Sequence, residues 1–381
     1  VPAVTPREPM TTTGQTTVGA RQQPVEAGTG RREDGVTERP VELTAAERAE
    51  IRFGTAGWRD PFPPEGSFNV ERVRLLIQAT ADYLNGEAQR RIYQERGLVD
   101  AEGRPMVVVG FDHRTRGPLP GSEDQRSLQA YAEEAARVLA GNGIAVQLMN
   151  RVPSTPLNVF AMSHLKAAAM INLTASHNPG GYGGLEIFDG LTGGLANNPV
   201  TDPIVASLRK DPAADQDAIR IVRIADADHA LIAHIDPPIH AYADYLRDVI
   251  GVDPEIIRRS GVRAAVDVQF GAGVVLQEVL EALGIPVGEV NDPGAQVVFL
   301  NNQLDPDFGG RRNVEVTPEN LDGLAQVVRE LGLDLGLAVD GDGDRAGALS
   351  PLPGADGTMS DTRFFSGNDL ATTIAYGALK Q

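Results

Sequence analysis

From Ile51 onward the chain alternates short, unbroken apolar runs with amphipathic stretches of helical period, a pattern that helices layered on a largely parallel sheet satisfy and few other architectures do. Val73, Leu76, Ile77, Thr80 and Leu84 repeat at helical spacing. Residues 106–109 are a continuous apolar run ending at Gly110, as expected of a strand buried on both faces. Leu128, Tyr131, Ala132, Ala135 and Leu139 make a second amphipathic stretch closed by Gly141-Asn142-Gly143. Strands are then expected at 145–149 and 168–173. After Asp211-Pro212 the pattern restarts, with strands expected at 263–268, 296–300 and 335–339 and helices at 274–283 and 321–331. The fold class expected is α/β: two successive three-layer α/β/α domains with mainly parallel mixed sheets, plus the start of a third.

With 381 residues the chain needs more than one core. Residues 1–48, rich in Thr, Gly, Pro, Gln and Arg, are expected to be a disordered tail. Domain I is expected over 49–210, domain II over 211–360, and the start of domain III over 361–381. Lys+Arg 34 against Asp+Glu 52 gives a net charge of -18, which repels a nucleic-acid backbone and requires any anionic substrate to be held by local arginines. The absence of cysteine excludes disulfides and thiolate metal sites. No apolar run of membrane-spanning length and no signal-type segment is found, so a cytoplasmic protein without a membrane partner is expected.

Two segments carry chemistry. Thr174-Ala175-Ser176-His177-Asn178-Pro179 follows an expected strand and is dense in small hydrogen-bonding residues. A serine there suits a nucleophile or phosphate carrier, and equally a turn cap. His177 is adjacent, but neighbouring side chains on an extended loop diverge, so a Ser-His pair is not implied. Asp340-Gly341-Asp342-Gly343-Asp344-Arg345 follows another expected strand. Three carboxylates spaced by glycines can converge on one hard cation, with Mg²⁺ the best fit. An EF-hand is excluded, because its sixth position is Arg345 rather than Gly and its twelfth is Pro351 rather than Glu.

Taken together, these two segments resemble the phosphoserine loop and metal loop of the α-D-phosphohexomutases, the phosphoglucomutase/phosphomannomutase family. Residues 53–59, 110–114, 152–156, 267–273 and 317–320 resemble further family segments in the same order. The resemblance implies that Ser176 carries a phosphoryl group and that Asp340, Asp342 and Asp344 bind Mg²⁺ together with an oxygen of that serine. It implies phosphate contacts from Arg59, Arg114, Thr174 and Asn178, and catalytic roles for His177 and Arg345. The reaction implied is conversion of hexose 1-phosphate to hexose 6-phosphate, with hexose 1,6-bisphosphate as activator and a hexose phosphate as substrate partner.

Two departures stand out. Glu186 occupies the position where the family has a lysine, eight residues after the motif asparagine, so a carboxylate is expected to do the proton transfer and to weaken phosphate binding. The family's sugar-reading and final phosphate-binding loops are not found in these 381 residues, so poor turnover by this chain alone is expected. The alternatives are a catalytically impaired relative that binds sugar phosphate or metal, and a Mg²⁺-dependent phosphatase with Asp340 as nucleophile.

Overall fold

The computed structural model describes residues 34–54, 57–290, 292, 294–353 and 361–379. Residues 1–33 of the expected tail, and Thr55 and Ala56 of the segment at 53–59, lie outside them.

The first nine strands in chain order are β1 (Val36–Pro40), β2 (Trp58–Pro61), β3 (Met106–Phe111), β4 (Ala145–Met149), β5 (Ala169–Leu173), β6 (Tyr182–Asp189), β7 (Gly194–Leu195), β8 (Ile221–Ala225) and β9 (Ile232–Ile235). The first sheet has the spatial order β2-β6-β5-β3-β4-β9, with β7 on β6. Its centre is parallel, β3 lying between β4 and β5, and β6 turns back antiparallel to β5. Helices Val70–Leu84 and Leu128–Gly141 form where the helical period was read, and their buried faces share one core with β3, β4 and β5. Gly110 is needed within β3, because a Cβ there would fall 2.1 Å from the Asn158 side chain of helix Thr155–His164.

The second sheet contains β10 (Ala264–Asp267), β11 (Val287–Gly288), β12 (Val297–Leu300), β13 (Leu335–Val339), β14 (Ala346–Leu352) and β15 (Asp361–Phe365), in the order β11-β12-β10-β13-β14-β15. It is parallel from β11 to β13 and antiparallel at β14 and β15. The α/β class with mainly parallel mixed sheets is thus the one found. Leu157, on a helix of the first unit, joins the apolar cluster of Val266, Val268 and Val275 in the second.

Three expected boundaries need correction. Residues 34–48 are not disordered: β1 pairs antiparallel with β8, and Thr44 and Glu47 form a capping box on helix Ala45–Ala49. Arg48, fully buried, donates to the carbonyls of Leu43 (3.1 Å) and Ile219 (2.7 Å). The partner strand lies far along the chain, where no local pattern could announce it. The division expected at 211 comes too early, since β9 pairs parallel with β4 of the first sheet. The segment beyond 360 does not begin apart from the second domain, because β15 extends the second sheet beside β14. Helix Gly367–Leu379 follows, with Ile374 and Tyr376 exposed.

The loops after β5 and β13 leave the C-terminal ends of their strands, where ligands gather on open α/β sheets. No helix among the described residues is long and apolar enough to cross a membrane.

Candidate phosphoryl-transfer site

Between β5 and β6 the backbone turns at Ser176, whose φ of +51° lies in the left-handed region that non-glycine residues seldom occupy. The surrounding hydrogen bonds over-determine that conformation. The Ser176 N–H donates to Thr174 Oγ1 (2.9 Å), whose hydroxyl donates to Asp112 Oδ2 (2.9 Å). Arg114 Nε donates to the same Asp112 oxygen (2.8 Å), Nη1 donates to the carbonyls of Asn178 (2.6 Å) and Pro179 (2.8 Å), and Nη2 donates to the carbonyl of Ser176. Arg114 is fully buried and Thr174 nearly so. The phosphate contacts expected of these two do not fit this placement: Arg114 donates to Asp112 and to three loop carbonyls, and Thr174 is engaged by Asp112 and the Ser176 N–H. Asn178 is half-buried and contributes its carbonyl to Arg114.

The acidic loop after β13 brings one carboxylate oxygen from each of Asp340, Asp342 and Asp344 within 4.8 Å of one another. Asp340 Oδ1 accepts from the backbone N–H groups of Asp344 and Arg345 (both 3.0 Å), and Asp342 Oδ2 accepts from the Thr155 hydroxyl (2.7 Å). Burial, then repulsion from Asp344, pushes the Asp342 carboxyl up to about 6. Burial, then Asp342, raises Asp340 well above the usual carboxylate range. Asp342 Oδ1 is buried with no hydrogen-bond partner among the described residues. An orphaned buried oxygen beside carboxylates raised by burial and by their acidic neighbours is a donor set that suits an all-oxygen divalent-cation site, so it fits Mg²⁺.

The two loops meet. Ser176 Oγ lies 3.4 Å from Asp340 Oδ2 and accepts from Arg345 Nη2 at 3.0 Å. A Cβ on Gly341 would stand 2.7 Å from the Ser176 carbonyl oxygen, so this approach requires glycine. Arg345 Nη2 also reaches His177 Nδ1 at 2.5 Å. Guanidinium can only donate, so Nδ1 is the acceptor and His177 carries its proton on Nε2. Burial first, then the Arg345 charge, depresses the imidazolium. The side chains of Ser176 and His177, expected to diverge, instead lie 3.4 Å apart at Oγ and Nδ1 and share Arg345 Nη2, and with Nδ1 accepting from that guanidinium His177 is not placed as the serine's base.

Arg59, on β2, donates to Glu186 on β6 at 2.7 Å, the two strands being antiparallel neighbours. Glu186 is 3% exposed, and burial, then Asp342, pushes its carboxyl up to about 8 against the opposing pull of Arg59. The extra negative charge expected from Glu186 is offset by its ion pair with Arg59. Arg59 also lines a cavity of about 600 Å³ together with Arg52 and Arg72 and the acids Glu50, Asp60 and Glu65.

Three contributors escaped the sequence reading. Thr155 ties the first unit to the metal loop through its hydroxyl and through its backbone N–H, which donates to the Asp342 carbonyl (2.8 Å). Phe308 inserts its ring beneath Arg114, 4.7 Å from the guanidinium carbon, and against His113. Glu315 accepts from Arg345 Nη1 at 3.0 Å. Thr155 stood in a segment already noticed for its resemblance, whereas Phe308 and Glu315 sit in an irregular loop with no periodic signal.

This geometry defines an α/β protein whose candidate site is divided between two successive domains. The model of phosphoglucomutase/phosphomannomutase alpha/beta/alpha domain I matches residues 50–215, and that of domain II matches residues 240–352. The chain belongs to the α-D-phosphohexomutase family. It is 30% identical over 290 residues to a phosphomannomutase/phosphoglucomutase of Pseudomonas putida, covering 75% of this chain and 52% of that protein. It is 29% identical over 309 residues to a "Probable phosphoglucosamine mutase" of Methanothermobacter thermautotrophicus, covering 80% of this chain and 55% of that protein. Among solved structures, that of a "putative phosphomannomutase" from Thermus thermophilus matches with a TM-score of 0.60 and 28% identity, covering 81% of this chain and 58% of the other. The chain spans about half the length of the curated relatives it matches.

Proposed function

We propose that this chain supplies the phosphoserine and Mg²⁺ half of a hexose-phosphate mutase centre, interconverting hexose 1-phosphate and hexose 6-phosphate. The observation that carries the reading is the convergence of Ser176 Oγ, Asp340 and Arg345 from two domains at 3.0 to 3.4 Å. The matched relatives, named as mutases of phosphomannose, phosphoglucose and phosphoglucosamine, support the substrate class.

Bound Mg²⁺ would be held by Asp340, Asp342, Asp344 and an oxygen on Ser176, and would supply charge neutralisation at the transferring phosphoryl group. Arg345 holds the Ser176 oxygen from the other side. Arg59, which pairs with Glu186 and lines the cavity, is the arginine of this chain assigned to a substrate phosphate. In the forward step the Ser176 O–P bond breaks, a new O–P bond forms to a sugar hydroxyl, and that hydroxyl's proton passes to a base. Glu186, buried and pushed up to about 8, suits that proton transfer in place of the lysine implied by the family resemblance. Return of the other phosphoryl group from hexose 1,6-bisphosphate restores Ser176, and His177, with its proton on Nε2, can donate to a substrate oxygen.

Intact mass after incubation with Mg²⁺ and glucose 1,6-bisphosphate tests this. One phosphoryl adduct is expected on the native chain and none on Ser176→Ala. An adduct that survives Ser176→Ala but is lost in Asp340→Ala would make the protein an aspartyl-phosphate phosphatase, and no adduct on any variant would leave a binding-only relative.

A further inference from the structure

We propose that Glu315 is a positioning residue that limits how far Ser176 stays phosphorylated, by competing with the phosphoryl group for the Arg345 guanidinium; this rests on the phosphoserine reading above. Glu315 lies in the irregular loop between β12 and helix Asp322–Glu330. Its neighbour Val314 is pinned at both ends of its peptide. The Val314 N–H donates to the His177 carbonyl (3.1 Å), and the Val314 carbonyl accepts from the buried Gln269 side chain (3.0 Å). The backbone beside Glu315 is thereby fixed directly against the serine loop.

From that anchor Glu315 Oε1 takes Arg345 Nη1 at 3.0 Å, while Nη2 of the same group is shared between Ser176 Oγ at 3.0 Å and His177 Nδ1 at 2.5 Å. One planar cation thus spans a carboxylate and the atom that would carry the phosphoryl group. Asp340 and Asp344 stand farther from the guanidinium, 3.7 and 3.8 Å from Nε, and belong to the carboxylate cluster that suits a cation. A phosphoryl group on Ser176 brings nearly two negative charges and three acceptor oxygens to Nη2. Glu315 then keeps half of the guanidinium and repels the dianion across it. Phosphoserine is held less tightly than Arg345 alone would hold it, so the group remains transferable to a sugar hydroxyl. The pair is partly exposed, with side-chain accessibilities of 38% and 46%, so its influence is modest and screened by salt.

The test uses the full 381-residue chain with Mg²⁺ and a fixed ratio of glucose 1,6-bisphosphate to glucose 6-phosphate, read by intact mass at equilibrium. Glu315→Gln keeps the shape and removes the charge, and it is expected to raise the ratio of phosphorylated to free Ser176 by roughly two- to fivefold at low ionic strength. The increase is expected to shrink towards none in about 1 M salt. Glu319→Gln, an exposed acid in the same segment, controls for net charge and is expected to leave the ratio unchanged. An unchanged or lower ratio in Glu315→Gln, an equal rise in Glu319→Gln, or a rise that salt does not reduce would overturn the proposal while leaving phosphoserine chemistry intact. No adduct on the native chain would sink the phosphoserine reading and this one together.

Discussion

Arg59 Nη2 donates to Glu186 Oε1 at 2.7 Å, joining two antiparallel strands, and the carboxylate in this pair is the more deeply buried partner. Desolvation wins over the single arginine, which is why Glu186 is raised to about 8 rather than lowered.

A raised carboxyl has a definite effect on stability. Glu186 binds its proton more tightly in the folded chain than in the unfolded one, so its favourable contribution is complete below the ordinary value of 4.5 and is lost as pH rises towards 8. In metal-free buffer the native chain is therefore expected to lose stability relative to Glu186→Gln across that window, by up to a few kcal/mol. Urea unfolding of both proteins at pH 5, 6, 7 and 8 measures it. Parallel stability curves would show that Glu186 titrates normally.

The acidic loop makes an opposite pair of expectations for one substitution. Asp342→Asn removes one repelling charge from a buried cluster, so without metal the variant is expected to be at least as stable as the native chain. It also removes a ligand. Mg²⁺ at a hundredfold excess over its dissociation constant stabilises a folded binder by about 2.7 kcal/mol, and that gain is expected to be largely lost in Asp342→Asn. Thermal melts with Mg²⁺ and with EDTA read both effects, and equal Mg²⁺ shifts in the two proteins would remove Asp342 from the ligand set.

Where the sequence was legible, period and position did the telling. The runs at 106–109, 145–149 and 335–339 became β3, β4 and β13; β3 is buried on both faces and continuously apolar, whereas Gln147 interrupts β4 and β13 alternates buried with half-buried residues. The three aspartates were legible in their glycine-spaced pattern just beyond a strand, and Ser176 in the resemblance of its segment, since its position after a strand suits a turn cap as well. What stayed hidden depends on distant parts of the chain. Nothing in residues 36–40 identifies β8 as their partner, and the charges of Arg114 and Arg59 look alike in a sequence. In the structure Arg114 is closed in by carbonyls, while Arg59 faces a cavity. Phe308 and Glu315 lie in a loop held both by its own domain, through Gln269 and Phe270, and by His113 and His177 of the other.

Arg48 tests whether residues 34–49 belong to the folded unit. Its guanidinium holds the carbonyls of Leu43 and Ile219, and its own carbonyl accepts from Arg209. Arg48→Ala leaves two carbonyls short of a donor, and a loss of about 2 to 4 kcal/mol is expected. A change below about 0.5 kcal/mol in denaturant unfolding would return this segment to the status of a loose tail.

Phe308 is the point at which the second domain grips the serine loop of the first. Its ring is fully buried, lies under Arg114 and against His113, and is followed by Gly309 and Gly310 at positive φ, so the turn that delivers it is specific. The His113 ring nitrogen Nε2 is 2.8 Å from the Asp305 carbonyl, which holds the same loop from its other end. Phe308→Ala removes the ring's burial and its cation–π contact, and a destabilisation of about 3 to 5 kcal/mol is expected if the loop cannot collapse. Arg114 would lose one wall of its enclosure but keep its carbonyl partners. The damage should therefore spread to the serine loop before it reaches the sheet: hydrogen exchange is expected to quicken first in residues 174–181, with β3 and β5 still protected. Uniform acceleration across both sheets would mean that Phe308 supports the core generally rather than the serine loop in particular.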